Sequence, residues 1–447
     1  LVRTLFSPDV AIASPCMAAP ETSQIREVGR ILGLKGNLAS PYSNEAKLGE
    51  SGYLDILRIA RDVSVVSGGC LLVRKAAYQA VGGMDASCLG DHYAEADLCQ
   101  KLKNEGWRLV FQPLSVIVYD GKSTISFEDD DEKTALGTLN ESRARHVFID
   151  RWLSRKNSDP YWNPNLSLAE TIPSPETDYV QAWQHLPSNT PRILAHYVSN
   201  EQGAYRVTAP LAALRKAGLV SDCLWPQTSR MPNWADLCRV APDTIVAQNY
   251  LSDSVLTALN EWQHQRSRPF IVYALDDLIT EVPEFNSLRS KIPANVRTRL
   301  KYALSRCDRM VVSTEYLAEA YRHLISDIRL VPNRLEKDAW LPLVGKKNCG
   351  IKPRIGWAGG ITHHGDLMLL REVIMQTTGE ADWIFFGMCP HQLRPLLAEY
   401  HTRVPSSEYP AALAALNLDI AVAPLAQVPF NRAKSNFLAV MSHEMRT

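Results

Sequence analysis

Hydrophobic positions follow two rhythms along this chain. Residues 1–156 mix short strands, glycine turns and two helical stripes. From residue 192 onward, strand-like apolar runs alternate with helical stretches. In the first part, Val10 to Ala13 predicts a short strand ending at Ser14-Pro15. Residues 24–36 are ambiguous, because Ile25, Val28, Ile31 and Leu32 stand near helical spacing while Gly29 interrupts them. Cys70-Leu71-Leu72-Val73, preceded by Gly68-Gly69, predicts a strand. Residues 75–81 have helical composition, and Gly82-Gly83 closes them as a C-terminal cap. An acidic loop is expected next, carrying Asp85, Asp91, His92, Glu95 and Asp97, with a helix from Leu98 that Gly106 ends. Strands are expected at 107–111 and 116–119 around Pro113. A long helix is expected over 132–156, with Leu136, Leu139, Val147, Phe148 and Trp152 on one stripe.

Residues 157–191 hold Pro160, Pro164, Pro173, Pro175, Pro187 and Pro191 among many Ser, Thr and Asn, the composition of a connector. Beyond it, strands are predicted at 193–198, 244–247, 270–274, 310–313 and 328–331. Helices are predicted between them at 210–217, 253–264, 296–305 and 315–325. A second series begins at Pro353, with strands at 354–357, 383–386 and 419–423 and helices at 367–375, 392–400 and 411–416. Alternation of this kind predicts parallel sheets covered by helices.

Composition narrows the function class. The 447 residues are 46% apolar and 21% charged, with equal numbers of basic and acidic side chains. A dedicated nucleic-acid binder needs a basic surface, so none is expected. No apolar run approaches the length of a membrane span, and no signal peptide is visible. Nine scattered cysteines without a Cys-x-x-Cys pair suit a reducing, cytoplasmic setting, with peripheral association at the inner face of the membrane left open.

Candidate chemistry sits in three places. Glu95 and Asp97 stand where a loop is expected to enter a helix, and such a carboxylate could take a proton from a hydroxyl. The plain alternative is that Asp97 caps the helix and Glu95 is a solvated acid. Asp276 and Asp277 follow an apolar strand, where open α/β sheets bind ligands, although capping the next helix serves equally well. Gly356, Gly359 and Gly360 form a glycine-rich exit from a strand, followed by His363 and His364, and glycines let backbone amides approach a diphosphate. The plain alternative is a simple glycine turn with exposed histidines.

The wording of SGGCLLVRKAAYQAVGGMD and AEADLCQKLKNEGWRLVFQP, with SDPYWNPNLSL further on, resembles the second half of family-2 glycosyltransferases. That resemblance implies a GT-A-type, nucleotide-sugar-binding domain over 1–168 and places Glu95, or less directly Asp97, as the catalytic base. The family commonly writes Glu-Asp-x-Asp-Leu-Cys, and here Ala94 stands at its first acid. The family's Asp-x-Asp metal motif, which would hold Mg or Mn, is expected before Leu1, so no metal ligand is assigned within this chain. The family's histidine after the second strand is absent between Trp107 and Thr124, with Asp120 the nearest polar residue.

After the linker at 169–190, YALDDL, VSTEYL, VPN, IGWAGG and LDIAVAPLAQVPFNRAK resemble family-4-like glycosyltransferases. This implies two Rossmann-like lobes of GT-B type, 191–345 and an incomplete 346–447, needing no metal. It makes Gly356, Gly359, Gly360, His363 and Lys434 donor-site candidates and Asp276 and Asp277 substrate contacts. Met441 stands where the family has a donor-gripping glutamate. The last fourteen residues, from Lys434, resemble the phosphoacceptor box of sensor histidine kinases, with His443 as acceptor and Glu444 beside it. The expected function is therefore transfer of a sugar from a nucleotide-sugar donor to a glycan or lipid-linked acceptor, in bacterial surface polysaccharide synthesis such as O-antigen assembly. The alternatives are a non-catalytic nucleotide-sugar or glycan-binding scaffold and a phosphorelay fragment.

Overall fold

The computed structural model describes residues 1–119, 135–152, 158–181, 189–249, 251–263, 268–286, 288–343, 350–405 and 407–431. Lys434, His443, Glu444, Met441 and Asp120 lie outside the described residues. The chain divides into two compact units. The first comprises Leu1–Gln181, Ser229–Asp243 and Asn260–Pro269, and the second comprises Ala182–Thr228, Thr244–Leu259 and Phe270–Thr447.

The first unit is built on a mixed sheet in the order Ile25–Glu27, Val10–Ala18, Arg108–Val118, Arg61–Asp62, with Leu72–Val73 also pairing antiparallel to Val10–Ala18. Every residue of Val10–Ala18 is buried, as a central strand requires. This strand runs three residues beyond the predicted stop at Ser14-Pro15. The register with the parallel strand Arg108–Val118 jumps between Pro15, opposite Gln112, and Cys16, opposite Val116. Pro15 and Pro113 both fall at this irregularity, where a missing N–H costs the ladder least. The two strands expected around Pro113 are for the same reason one bulged strand.

The expected acidic loop is helical instead. Ala86–Asn104 is one helical element with a break at Gly90 (φ 58°, ψ −169°). Tyr93, Ala94, Ala96, Leu98, Cys99 and Leu102 are buried on it, so core packing extends the helix back through the acids. The long helix expected at 132–156 is observed as Ala135–Trp152. The segment left ambiguous at 24–36 resolves into the strands Ile25–Glu27 and Ile31–Leu32, the second forming a hairpin with Leu38–Ala39.

Residues 229–243 belong to the core of this first unit. Asn233 and Asp236 form a reciprocal capping box that starts the helix Trp234–Val240. Trp234, Ala235 and Cys238 join the unit's buried apolar cluster. Trp234 Nε1 donates to the Gly36 carbonyl at 2.7 Å, and Arg239 donates to the Leu166 carbonyl at 2.6 Å. Gly33 has φ +91°, and a Cβ there would stand 2.5 Å from the Ala235 Cβ, so this crossing needs glycine.

The second unit contains two Rossmann-like parallel sheets, and the fold is α/β. The first sheet contains, in order, Ile328–Leu330, Arg309–Val312, Phe270–Leu275, Thr244–Gln248, Arg192–Tyr197 and Ser221–Pro226, and these six strands are mutually parallel. The second runs Glu399–Thr402, Asp382–Gly387, Arg354–Gly359, Ile420–Ala421, also parallel. The predicted strands of the first series are all present. The strand Ser221–Pro226 had no prediction, because its polar Ser221 and Asp222 conceal its buried Cys223 and Trp225. The helix expected at 392–400 is instead a 3-10 turn, Arg394–Leu396, followed by the strand Glu399–Thr402. Pro395 and the pairing of Tyr400 with Phe385 favour that outcome.

Candidate functional site

Glu95 and Asp97 share one helix but belong to separate networks. Asp97 is fully buried and accepts from Arg151 and from Trp152 Nε1, each at 2.8 Å, while Lys101 Nζ lies 2.7 Å from its other oxygen. Those partners tie the helix Ala86–Asn104 to Ala135–Trp152 and leave Asp97 no open face. Glu95 points elsewhere. Its Oε1 takes a hydrogen bond from Arg30, and its Oε2 takes one from the Gly68 amide. Burial pushes the Glu95 carboxyl above its ordinary range; the Arg30 guanidinium opposes that shift and nearby Glu27 adds to it. Arg30 and Glu27 carried no sequence signal beyond lying in an ambiguous segment.

In the second unit, each parallel sheet has a point where chain order reverses, and open α/β sheets bind ligands at the C-terminal ends of strands there. In the first sheet this point lies between Arg192–Tyr197 and Thr244–Gln248. Side chains from several loops meet beside it. Gln202 Nε2 donates to Asp276 and, at 3.4 Å, to Asp277, and Gln202 Oε1 accepts from Asn249 Nδ2 at 3.0 Å. Gln248 Oε1 accepts from the Val198 amide at 3.1 Å. Arg206 donates to the Val331 carbonyl at 2.5 Å and to Asn333 Oδ1 at 2.9 Å. Burial lowers the Arg206 pKa, opposed by the charge of Asp276. The 3-10 turn after the aspartates, Ile279–Glu281, has Leu278 at its N-terminal position, which makes no side-chain cap. Sequence reading located the two aspartates but missed Gln202, Arg206 and Asn249, since isolated polar residues become a group only when strand ends converge.

In the second sheet the reversal lies between Arg354–Gly359 and Ile420–Ala421. The glycines of the first loop differ in what they meet. A Cβ at Gly356 would stand 2.5 Å from Leu418, and one at Gly359 would stand 2.6 Å from the Trp357 ring, while Gly360 has open space around its Cβ direction. The first two therefore answer a packing demand. After Gly360 come a 3-10 turn, Ile361–His363, and a five-residue helix, His364–Met368.

The organising side chain here is Asp366, three residues past His363. It is 2% exposed. One oxygen accepts from the Ala426 amide at 2.9 Å and from Asn431 Nδ2 at 2.8 Å, and the other lies 3.0 Å from His363 Nδ1. Burial alone would raise its pKa, but His363 and these donors hold it below the ordinary carboxylate range. Asp366 thus fastens together the two loops that flank the reversal point. His363 also lies edge-on to Trp357, with ring centres 6.1 Å apart.

Among the described residues, no group of three or more His, Cys, Asp or Glu could hold a metal ion, and no helix is long and apolar enough to cross a membrane.

No family model matches the chain. One curated relative, an uncharacterized protein, y4gI, of Sinorhizobium fredii, is 29% identical over 146 residues, which is 32% of this chain. The chain spans 15% of that relative's length. Among solved structures, the catalytic domain of starch synthase IV from Arabidopsis thaliana, bound to ADP and acarbose, aligns at TM-score 0.36 and 11% identity, covering 54% of this chain and 79% of that one. Sucrose-phosphate synthase from Thermosynechococcus elongatus aligns at TM-score 0.37 and 12% identity, covering 54% and 77%. Anabaena HepE, in complex with UDP and glucose, aligns at TM-score 0.34 and 12% identity, covering 56% and 78%. At such scores these likenesses assign no residue role and no activity to this chain.

Proposed function

We propose that the chain is a glycosyltransferase that uses a nucleotide-sugar donor. The observation that carries this reading is Asp366, a buried carboxylate bonded to both loops at the reversal point of a parallel sheet. It bonds to His363, to the Ala426 amide and to Asn431, at the reversal point where a ligand crevice is expected, and Lys434 follows Asn431 by three residues in sequence. The diphosphate of the donor would lie against the open Gly360 backbone, with Lys434 supplying a point charge for the leaving group. The polar group of Gln202, Asn249, Asp276 and Asp277 would face sugar hydroxyls, which both donate and accept hydrogen bonds.

In the first unit, the reading makes Glu95 the general base. Its carboxylate takes the proton of an acceptor hydroxyl. That oxygen bonds to the anomeric carbon as the bond from that carbon to the diphosphate breaks, and the nucleoside diphosphate leaves with the electron pair. A divalent cation, Mg or Mn, is part of the reading of the first unit, where it would neutralise the diphosphate of the donor. A glycan or lipid-linked acceptor and a role in surface polysaccharide assembly complete the proposal. The enclosure of Asp97 and the ion pairing of Glu95 favour a second reading for the first unit alone, a sugar-nucleotide-binding module without turnover.

Calorimetric titration with UDP, ADP and GDP tests the core of the proposal. One of these should bind the intact chain, and Asp366→Asn should weaken it at least tenfold without a change in circular dichroism. Absence of binding across the panel, or unchanged affinity in the variant, would remove the assignment of this crevice. Release of glucose from UDP-glucose separates a transferase from a binding module.

A further inference from the structure

We infer that Arg30 is a positioning residue that aims Glu95, with Glu27 as the anchor that holds Arg30 in place. The inference rests on the reading of Glu95 as a general base and adds the device that would set its orientation and charge.

Arg30 is 2% exposed, although it carries a full charge. Its Nε and Nη2 both donate to Glu27 Oε1, at 3.0 and 2.8 Å, and Nη2 also reaches Ser67 Oγ at 3.2 Å. This directs Nη1 at Glu95 Oε1. The second oxygen of Glu95 rests on the Gly68 amide, and a Cβ at residue 68 would run into that carboxylate. The turn Ser67-Gly68-Gly69 is therefore shaped around one rotamer of Glu95.

Such an arrangement is a poor way to gain stability. Two carboxylates share one buried guanidinium, and Glu27 Oε2 has no hydrogen-bond partner among the described residues although Glu27 is 6% exposed. An apolar set of equal volume commonly costs less than a buried ionic cluster, so the cluster calls for a role beyond packing. The ionisable groups facing Glu95 are Arg30 and Glu27 from the segment before it, and Cys99 one turn along its own helix. Burial raises the pH at which Glu95 accepts a proton, and the pair adjusts it, Arg30 favouring the ionised carboxylate and Glu27 opposing it.

The test uses the full chain labelled with 13C at the glutamate carboxyls, with the Glu95 resonance identified by its loss in Glu95→Gln. The near-isosteric Glu27→Gln should lower the Glu95 midpoint by about one pH unit, and Arg30→Met should raise it by about one unit or more. If Arg30→Met does not fold, Arg30→Lys, which keeps the charge but not the fork, should shift the midpoint upward by less. The acid limb of UDP-glucose turnover should move with the midpoint in each variant, which a merely structural arginine would not cause. Midpoints that stay fixed in Glu27→Gln and in the arginine variant overturn the inference and leave the base reading to the Glu95→Gln rate. Midpoints that move while the acid limb stays fixed remove Glu95 as the base, and Arg30 then only seats a carboxylate.

Discussion

Replacing Trp234 with alanine should loosen the first unit, although Trp234 lies in sequence between two strands of the second. The side chain is 2% exposed, and its indole N–H is spent on the Gly36 carbonyl. A buried tryptophan removes about 150–250 Å² from water, worth roughly 4–6 kcal/mol at about 25 cal/mol per Å². Measured truncations of large aromatics in cores run at about 3–5 kcal/mol, and that is the loss expected here. Trp234→Phe should cost less, about 1–2 kcal/mol, because the Gly36 carbonyl keeps its bond from Arg145 at 3.2 Å. Hydrogen exchange suits this measurement better than a global melt, since a two-unit chain need not unfold in one step. The reporters are the Gly33 amide, bonded to the Asn37 carbonyl at 2.6 Å, and the Lys35 amide, bonded to Leu168 at 2.7 Å. A loss of about 3–5 kcal/mol lowers their protection by roughly two to three and a half orders of magnitude when opening is limited by that stability. Amides of the strand Asp382–Gly387 should be unaffected. A fall of less than tenfold at Gly33 and Lys35, or an equal fall at both places, would refute the assignment of residues 229–243 to the first unit.

Further outcomes follow from the same geometry. His196 is 2% exposed, and burial pushes its pKa down to about 4. The unfolded chain protonates this histidine near pH 6.5 and the folded chain does not, so its contribution is intact above that pH and declines as pH falls from 6.5 toward 4. His196→Gln should flatten that part of an acid-stability curve, by about 3 kcal/mol at most. Arg354 and then His401 hold Glu399 down to about 2. That contribution is present above pH 4.5 and fades as pH falls through 2, so Arg354→Met should move acid unfolding of the second unit to higher pH in a circular dichroism titration. Gly33→Ala should destabilise the first unit by more than about 1 kcal/mol, since it meets both a positive φ and the Ala235 side chain; an unchanged denaturation midpoint would contradict the packing described.

Local pattern was enough for most strands of the parallel sheets, with Ser221–Pro226 and Glu399–Thr402 the exceptions. A strand such as Phe270–Leu275 is a continuous apolar run bounded by charged residues, and a helix such as Asp253–Gln263 repeats its apolar positions every three to four residues. Those signals are properties of neighbouring residues, and burial on both faces of a sheet reinforces them. The glycine-rich exit at Gly359-Gly360 and the acids at Asp276-Asp277 were readable for the same reason, because each stands at the end of such a run. Local pattern could not show that Ala86–Asn104 is helical through its acids, because the deciding contribution is the burial of Tyr93, Ala94 and Ala96 against the rest of the core. Nor could it pair Arg30 with Glu95, Asp366 with Asn431, or Gln202 with Asp276, at separations of 65, 65 and 74 residues. A buried charge has to find its partner wherever the chain brings one, and sequence distance places no limit on that search. The same holds for Trp234 and Ala235, whose seats against Gly36 and Gly33 exist only after both segments have folded.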